Sequence, residues 1–278
     1  MHKKLNASLA IGLMAAPFMF AQEYFSDDFE SQTAGLQPTA TAVRPTSNAA
    51  DNFVEVVTGA DNYAGGGTGN GVRVFDDSTS SFAYENNFVA DTGSQLSSMH
   101  LSFDLAWNQT ANTDGDYARF GVTAYDASTG AIVNQGSNNY LEIRLRNDGV
   151  FYATGGGSNA STSLTDDVAT NIDLFINDSD TLSINYSAPD GGGTIALAAN
   201  SFAVYVGNSL LLTDTLENGA LSGDNTLGRF GVVSFGSFTG IDYTFDNFSV
   251  SAIPETSSYA TLMGILATAC VLIRRKKA

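Results

Sequence analysis

What most constrains this chain is the period of its apolar residues. Through the body of the sequence, apolar side chains alternate with polar ones over short stretches bounded by Gly, Asn, Asp and Ser. Nowhere do apolar residues keep the three-and-four spacing that an amphipathic helix needs over several turns. Strands are therefore predicted at 53–58, 72–75, 82–89, 99–107, 117–125, 140–146, 150–153, 172–176, 181–187, 202–206, 210–213, 229–235 and 243–250. So many short strands with turn residues between them predict an all-β fold, an antiparallel two-sheet β-sandwich over residues 22–252. Asn147-Asp148-Gly149 between two of these runs predicts a hairpin. The glycine triplets at 65–67, 155–157 and 191–193 read as loops, since none opens a helix or precedes a lysine as a phosphate cradle would.

Three alternations are clearest. Leu101, Phe103, Leu105 and Trp107 share one face of their strand; Ala118, Phe120 and Val122 share one face of the next; Leu141, Ile143 and Leu145 do the same in a third. If these strands are sheet neighbours, one outer face carries Asp104, Arg119, Tyr125, Tyr140, Glu142 and Arg144. Such a mixture suits sugar recognition, because hydroxyls take paired polar contacts and sugar faces stack on rings. The competing reading is a solvated face with cross-strand ion pairs, each worth little.

Charge narrows the choice of partner. Of 12 Lys and Arg, six lie at the two ends, and residues 22–253 keep six arginines and no lysine against 28 of the 29 acids, a balance of −22. Such a body neutralises no phosphate backbone, which argues against nucleic acid and against anionic lipid as partners. The one cysteine, Cys270, lies in a terminal apolar stretch, and His100 is the only histidine besides His2. Disulfides within the chain and thiolate metal clusters in its body are thereby excluded, and a single histidine without a cysteine argues against zinc sites.

Both ends carry targeting signals. Lys3 and Lys4 precede an apolar run and the small residue Ala21, the pattern of a cleaved secretory signal peptide over residues 1–21. Near the other end, Pro254 and Glu255 are followed by an apolar segment at 259–273, just long enough for a short transmembrane helix, and then by Arg274, Arg275, Lys276 and Lys277. Residues 253–278 thus resemble the PEP-CTERM sorting signal of Gram-negative bacteria, although the family motif is Pro-Glu-Pro and this chain has Thr256 at its third position. The resemblance implies a membrane anchor before processing, recognition by an exosortase-type enzyme, and release or attachment at the cell surface of an organism that makes exopolysaccharide.

A second resemblance concerns the body. Asp27-Asp28-Phe29-Glu30 at its start and Phe245-Asp246-Asn247-Phe248 at its end look like the first and last strands of concanavalin-like and LamG-like jelly rolls. In several of those families, side chains from the two ends meet at a structural calcium, which implies Asp28, Glu30 and Asp246 as ligands here; a hard cation suits carboxylate oxygens. The strand with Glu142, Arg144 and Arg146, together with His100, is loosely similar to jelly-roll alginate lyases, whose Tyr-x-Lys motif cannot occur in a body without lysine. No Gly-x-Ser-x-Gly elbow is present, nor the alternating carboxylates of a retaining glycosidase. The expected protein is a non-catalytic, exported surface or matrix protein that binds or sits in extracellular polysaccharide. A jelly-roll lyase or glycosidase, and a structural surface protein without a specific ligand, are the alternatives.

Overall fold

The computed structural model describes residues 21–45, 49–110, 114–128, 140–217, 226–235 and 238–253. The N-terminal apolar run and the sorting-motif residues Pro254, Glu255, Arg274 and Arg275, with the apolar segment at 259–273, lie outside them. Within the described residues no helix is long and apolar enough to cross a membrane.

Alternation becomes strand as expected. The first strands are β1 (Glu23–Asp27), β2 (Ala42–Arg44), β3 (Asn52–Thr58), β4 (Asn70–Asp76), β5 (Ala83–Asn87) and β6 (Ser98–Trp107). The middle of the chain contributes β7 (Tyr117–Thr123), β8 (Leu141–Arg146), β9 (Val150–Thr154), β10 (Asn159–Ser163), β11 (Thr170–Asn177) and β12 (Ile184–Ser187). The last are β13 (Thr194–Leu197), β14 (Ser201–Val206), β15 (Ser209–Thr215), β16 (Arg229–Val233) and β17 (Ile241–Ser251). One sheet runs β15-β14-β11-β6-β17-β4-β3, with β1 added against β17; the other runs β10-β9-β8-β7-β16-β5-β2; β12 and β13 form a separate hairpin. All these pairings are antiparallel.

The two large sheets pack face to face. Phe103, Phe245 and Phe248 from the first meet Phe120 and Phe230 from the second, with Phe103 and Phe120 centroids 4.9 Å apart and Phe230 and Phe248 5.0 Å apart. Leu105, Val122, Ile143 and Leu145, expected in the core, are all buried there. The β12–β13 hairpin closes a smaller core of Phe175, Tyr186, Tyr205 and Ile253 on the outer side of the eight-stranded sheet.

Two irregularities shape the sandwich. At Asn147-Asp148-Gly149 the predicted hairpin joins β8 to β9, and Gly149, at φ 76°, lies so close to the Trp107 ring that a Cβ would meet it at 2.6 Å. A side chain there is excluded twice over, by conformation and by contact. In β17 a bulge around Asn247, at φ 52°, divides the strand: residues before it pair with β4 and those after it with β1, while β6 runs along both halves.

Candidate functional site

The register of the seven-stranded sheet assembles its outer face row by row. One row reads Tyr152, Arg144, Arg119, Val233, Ala83, Arg44, and its neighbour Thr154, Glu142, Gly121, Gly231, Glu85, Ala42. Because Phe120, Val122, Ile143, Leu145, Phe230 and Val232 fill the inner face, these residues point outward.

Glu142 is the centre of the site. Its Oε2 lies 2.7 Å from Arg119 Nε, and its Oε1 accepts a 2.6 Å hydrogen bond from Arg144 Nε. Aromatic rings hold both guanidinium groups in place: Arg144 lies 4.8 Å from the Tyr117 centroid and 5.6 Å from that of Tyr152, and Arg119 lies 4.9 Å from that of Phe235. Burial is the largest single influence on Arg144 and works against its charge, but the hydrogen bond and the charge of Glu142, with Tyr117 and Tyr152, together outweigh it and raise its pKa. Glu217, which accepts from the Thr154 hydroxyl at 3.3 Å, is raised by burial and then by the charge of Glu142. A second ion pair, Arg229 with Glu85 at 2.7 Å, is wholly buried in the same face. Gly231 makes room for it, since a Cβ there would stand 2.4 Å from Glu85 Cγ. The assembled surface presents fixed guanidinium donors beside ring faces.

Three of the six residues expected on one face are there: Arg119, Glu142 and Arg144. Asp104 is not, because β6, although adjacent in sequence to β7, belongs to the other sheet, where Asp104 accepts from Asn247 Nδ2 at 2.9 Å and from Asn171 Nδ2 at 3.2 Å. Tyr125 lies beyond the end of β7, where its N–H donates to Gln95 Oε1, and its ring packs against the main core. Tyr140 precedes β8, so strand parity does not govern it; its ring is buried in the core, and burial raises its pKa. Sequence reasoning left Phe235, Arg229 and Glu85 out of the site. The first two were legible in the alternation of Arg229, Gly231, Val233 and Phe235, whereas Glu85 joins through a pairing that no local pattern encodes.

The acids expected at a calcium are placed differently again. Asp246 and Glu30 are close enough for Glu30 to raise the Asp246 pKa, together with burial, which is the largest cause, and Asp104. Asn62 Nδ2 donates to Asp246 Oδ2 at 2.9 Å and to the Thr68 carbonyl at 3.0 Å, while Glu30 Oε1 accepts from Asn70 N–H at 2.9 Å. Asp28 accepts the Glu30 N–H at 3.2 Å and lines a shallow cavity with Ser26, Asp27, Ser31, Asn247 and Phe248. The carboxylate oxygens of Asp28, Glu30 and Asp246 have the chemistry a hard cation takes, but they supply part of a calcium shell only. Among the described residues no three acidic, histidine or cysteine side chains converge to hold a metal.

On the outer side of the eight-stranded sheet an open groove of about 820 Å³ is lined by His100, Asp173, Phe175, Tyr186 and Ile253. His100 Nε2 lies 2.6 Å from Asp173 Oδ1, and its ring stacks on Phe175, which stacks in turn on Tyr186.

No protein-family model and no curated protein matches this chain. Among solved structures it is similar to a sialidase, with a TM-score of 0.51 at 13% identity, covering 82% of this chain and 18% of that one. Cellulose induced protein Cip1 gives a TM-score of 0.47 at 14% identity over 82% of this chain and 96% of its own. The carbohydrate recognition domain of Emp47p gives 0.44 at 12% identity over 84% and 96%. The chain spans about a fifth of the sialidase's length, and at this identity the likeness shows the β-sandwich fold alone.

Proposed function

We propose that the protein is an exported cell-surface or extracellular-matrix protein whose non-catalytic sandwich binds polysaccharide on the outer face of the seven-stranded sheet. One observation carries the reading: Glu142 fixes Arg119 and Arg144 in place, and both guanidinium groups lie against rings, so donors and stacking surfaces are preorganised side by side. Export and sorting rest on the two sequence ends, with an exosortase-type enzyme as processing partner. Calcium enters the proposal at Glu30 and Asp246, with Asp28 nearby in the chain.

Affinity electrophoresis against a panel of soluble polysaccharides tests the reading. Retardation by at least one glycan, lost in Arg144→Ala and weakened in Tyr152→Ala, is expected, with no shortening of the glycan and no new unsaturated or reducing ends. Retardation unchanged in both variants would move binding off this face. Turnover of the glycan would make the protein a lyase or glycosidase.

A further inference from the structure

Strand parity brings an ionisable pair and an aromatic ring to the outer side of the eight-stranded sheet. In β6, Met99 and Leu101 enter the main core and His100 between them faces away from it; in β11, Leu174 and Ile176 do the same and leave Asp173 and Phe175 outside. The register sets His100 directly opposite Phe175, with Asp173 two residues along the same face. A phenylalanine on an outer face needs cover, and two rings supply it. His100 lies parallel to Phe175 within 2°, with centroids 4.3 Å apart, and Tyr186 of the β12–β13 hairpin stacks on Phe175 at 4.1 Å.

Cover accounts for the rings but not for the carboxylate. The Asp173 side chain is only 9% exposed, a position that costs a carboxylate free energy which its one hydrogen bond offsets in part. His100 Nε2 stands 2.6 Å from Asp173 Oδ1. A carboxylate takes only a donated proton, so Nε2 carries the hydrogen, and in the neutral imidazole Nδ1 is left as an acceptor. Neither Nδ1 nor Asp173 Oδ2 has a hydrogen-bond partner among the described residues, and neither is sealed from solvent. Both residues line the open groove, which thus receives two acceptors whose positions are fixed by a hydrogen bond and a ring stack.

The rim adds groups that both donate and accept. Asn185 and Ser187 of β12, Thr194 of β13 and Asn208 in the turn between β14 and β15 line the same groove, and their side chains make no hydrogen bond to another described residue. No arginine or lysine is among the described residues that line it. At about 820 Å³ the groove lies within the range of roughly 300 to 1,000 Å³ that small-ligand sites occupy.

From these features we infer a second saccharide site, one that takes a neutral sugar. Its hydroxyls donate to His100 Nδ1 and Asp173 Oδ2, and the amides and hydroxyls of the rim pair with the rest. Sugar hydroxyls donate and accept alike, as the rim does. A uronate or phosphate brings its charge to Asp173 with no arginine or lysine to meet it, and an ammonium, which only donates, leaves the donors of the rim unused. The groove lies on the opposite sheet from Glu142, so this site is independent of the face proposed above.

His100 supplies its own reporter, being the only histidine besides His2. The imidazole nitrogens of the isotope-labelled protein are followed by NMR during addition of gluco-, galacto-, manno- and xylo-oligosaccharides, oligogalacturonate and a glucosamine oligomer, with calorimetry for affinity. Loss of signals in His100→Gln identifies those of His100. At least one neutral oligosaccharide should move the Nδ1 signal, and His100→Gln and Asp173→Asn should each weaken its binding by roughly tenfold. The Nδ1 shift is read on the parent protein, so it decides the matter even where a variant folds poorly. Movement by oligogalacturonate or the glucosamine oligomer, with none by a neutral sugar, would overturn the neutral ligand. Neutral binding that leaves His100 unmoved and is lost in Arg144→Ala would overturn the groove and leave the Glu142 face standing. No movement with any saccharide would reduce the His100 and Asp173 pair to cover for Phe175.

Discussion

Asp76, the last residue of β4 in the eight-stranded sheet, accepts a 2.5 Å hydrogen bond from the hydroxyl of Ser234, which follows β16 in the other sheet. The same hydroxyl accepts the Phe82 N–H at 2.8 Å, so one buried carboxylate ties the two layers together at this edge.

That tie is pH-dependent in a defined direction. Burial is the main cause and pushes the Asp76 carboxyl up from 3.8 to about 6, against the hydrogen bonds from Ser234 and Ser78 that lower it. The folded state therefore holds this proton more tightly than the unfolded chain does. Asp76 is fully protonated in both states at low pH and then disfavours folding as pH rises through the interval between the two values. Two units correspond to about 3 kcal/mol. In Asp76→Asn this contribution is absent, so the melting temperature of the variant relative to the parent should climb between pH 4 and pH 6 and level off above. A constant difference across that range would show that Asp76 titrates normally in the fold.

Core packing makes a separate prediction. Phe103 is 1% exposed and stacks within 5.1 Å of both Phe120 and Phe248, so it joins the two sheets at their centre. Phe103→Ala should destabilise by about 3 to 5 kcal/mol, because the rings around it belong to both sheets and collapse only partly into the space. Denaturant unfolding that moves by less than about 1 kcal/mol would place Phe103 outside the core that these contacts describe.

Much of this core could be read from alternation alone, since Phe103, Leu105, Phe120, Val122, Ile143 and Leu145 each sit on the apolar side of a clear two-residue period. What alternation does not encode is which strands become neighbours. Consecutive β6 and β7 lie in different sheets, which is why Asp104 stands beside Asp246 and away from Arg119. Strand β10, Asn159–Ser163, escaped notice for another reason: as an edge strand with no large apolar residue it has no pattern to detect. At the site, the Arg119, Glu142 and Arg144 cluster follows from parity on two strands, whereas Glu85 and Arg44 arrive through long-range pairing.

The Arg229 and Glu85 pair tests how that face is built. Both side chains are fully buried, and Arg229 Nη1 also donates to the carbonyls of Asp126 and Ser128 at 3.2 and 3.1 Å. Arg229→Met alone leaves a buried carboxylate without its countercharge and should destabilise by about 3 to 5 kcal/mol. Adding Glu85→Leu removes the stranded charge and should recover a large part of that loss, giving a coupling energy that a double-mutant cycle measures. Additive losses would mean that the two groups do not depend on each other.

For sorting, Pro254, Glu255 and the basic residues Arg274 and Arg275 make the prediction. Removing residues 259–278 should send the protein into the periplasm or medium unprocessed, and Glu255→Ala should block cleavage while leaving the anchor. Intact mass of the surface-released protein is the readout. Unchanged processing in both variants would assign the C-terminal segment some other task.

Calcium is decided by comparing two cations. In a body at −22 any divalent ion relieves self-repulsion, so calcium and magnesium alike should raise the melting temperature a little. A site at Glu30 and Asp246 predicts more for calcium, which accepts irregular shells of six to eight oxygens, than for magnesium, which demands near-octahedral geometry. To enter, calcium has to displace Asn62 Nδ2 as the bridge between Asp246 Oδ2 and the Thr68 carbonyl. The calcium-specific gain should follow RT ln(1 + [L]/Kd), about 2.7 kcal/mol at a hundredfold excess over Kd. Glu30→Gln with Asp246→Asn should abolish that gain and leave the part common to both cations. Asn62→Asp, which replaces the bridging amide by a carboxylate, should strengthen it. Equal stabilisation of the parent by calcium and magnesium would show that the Asn62 amide already does what the cation was proposed to do, holding Asp246 to the turn at Thr68.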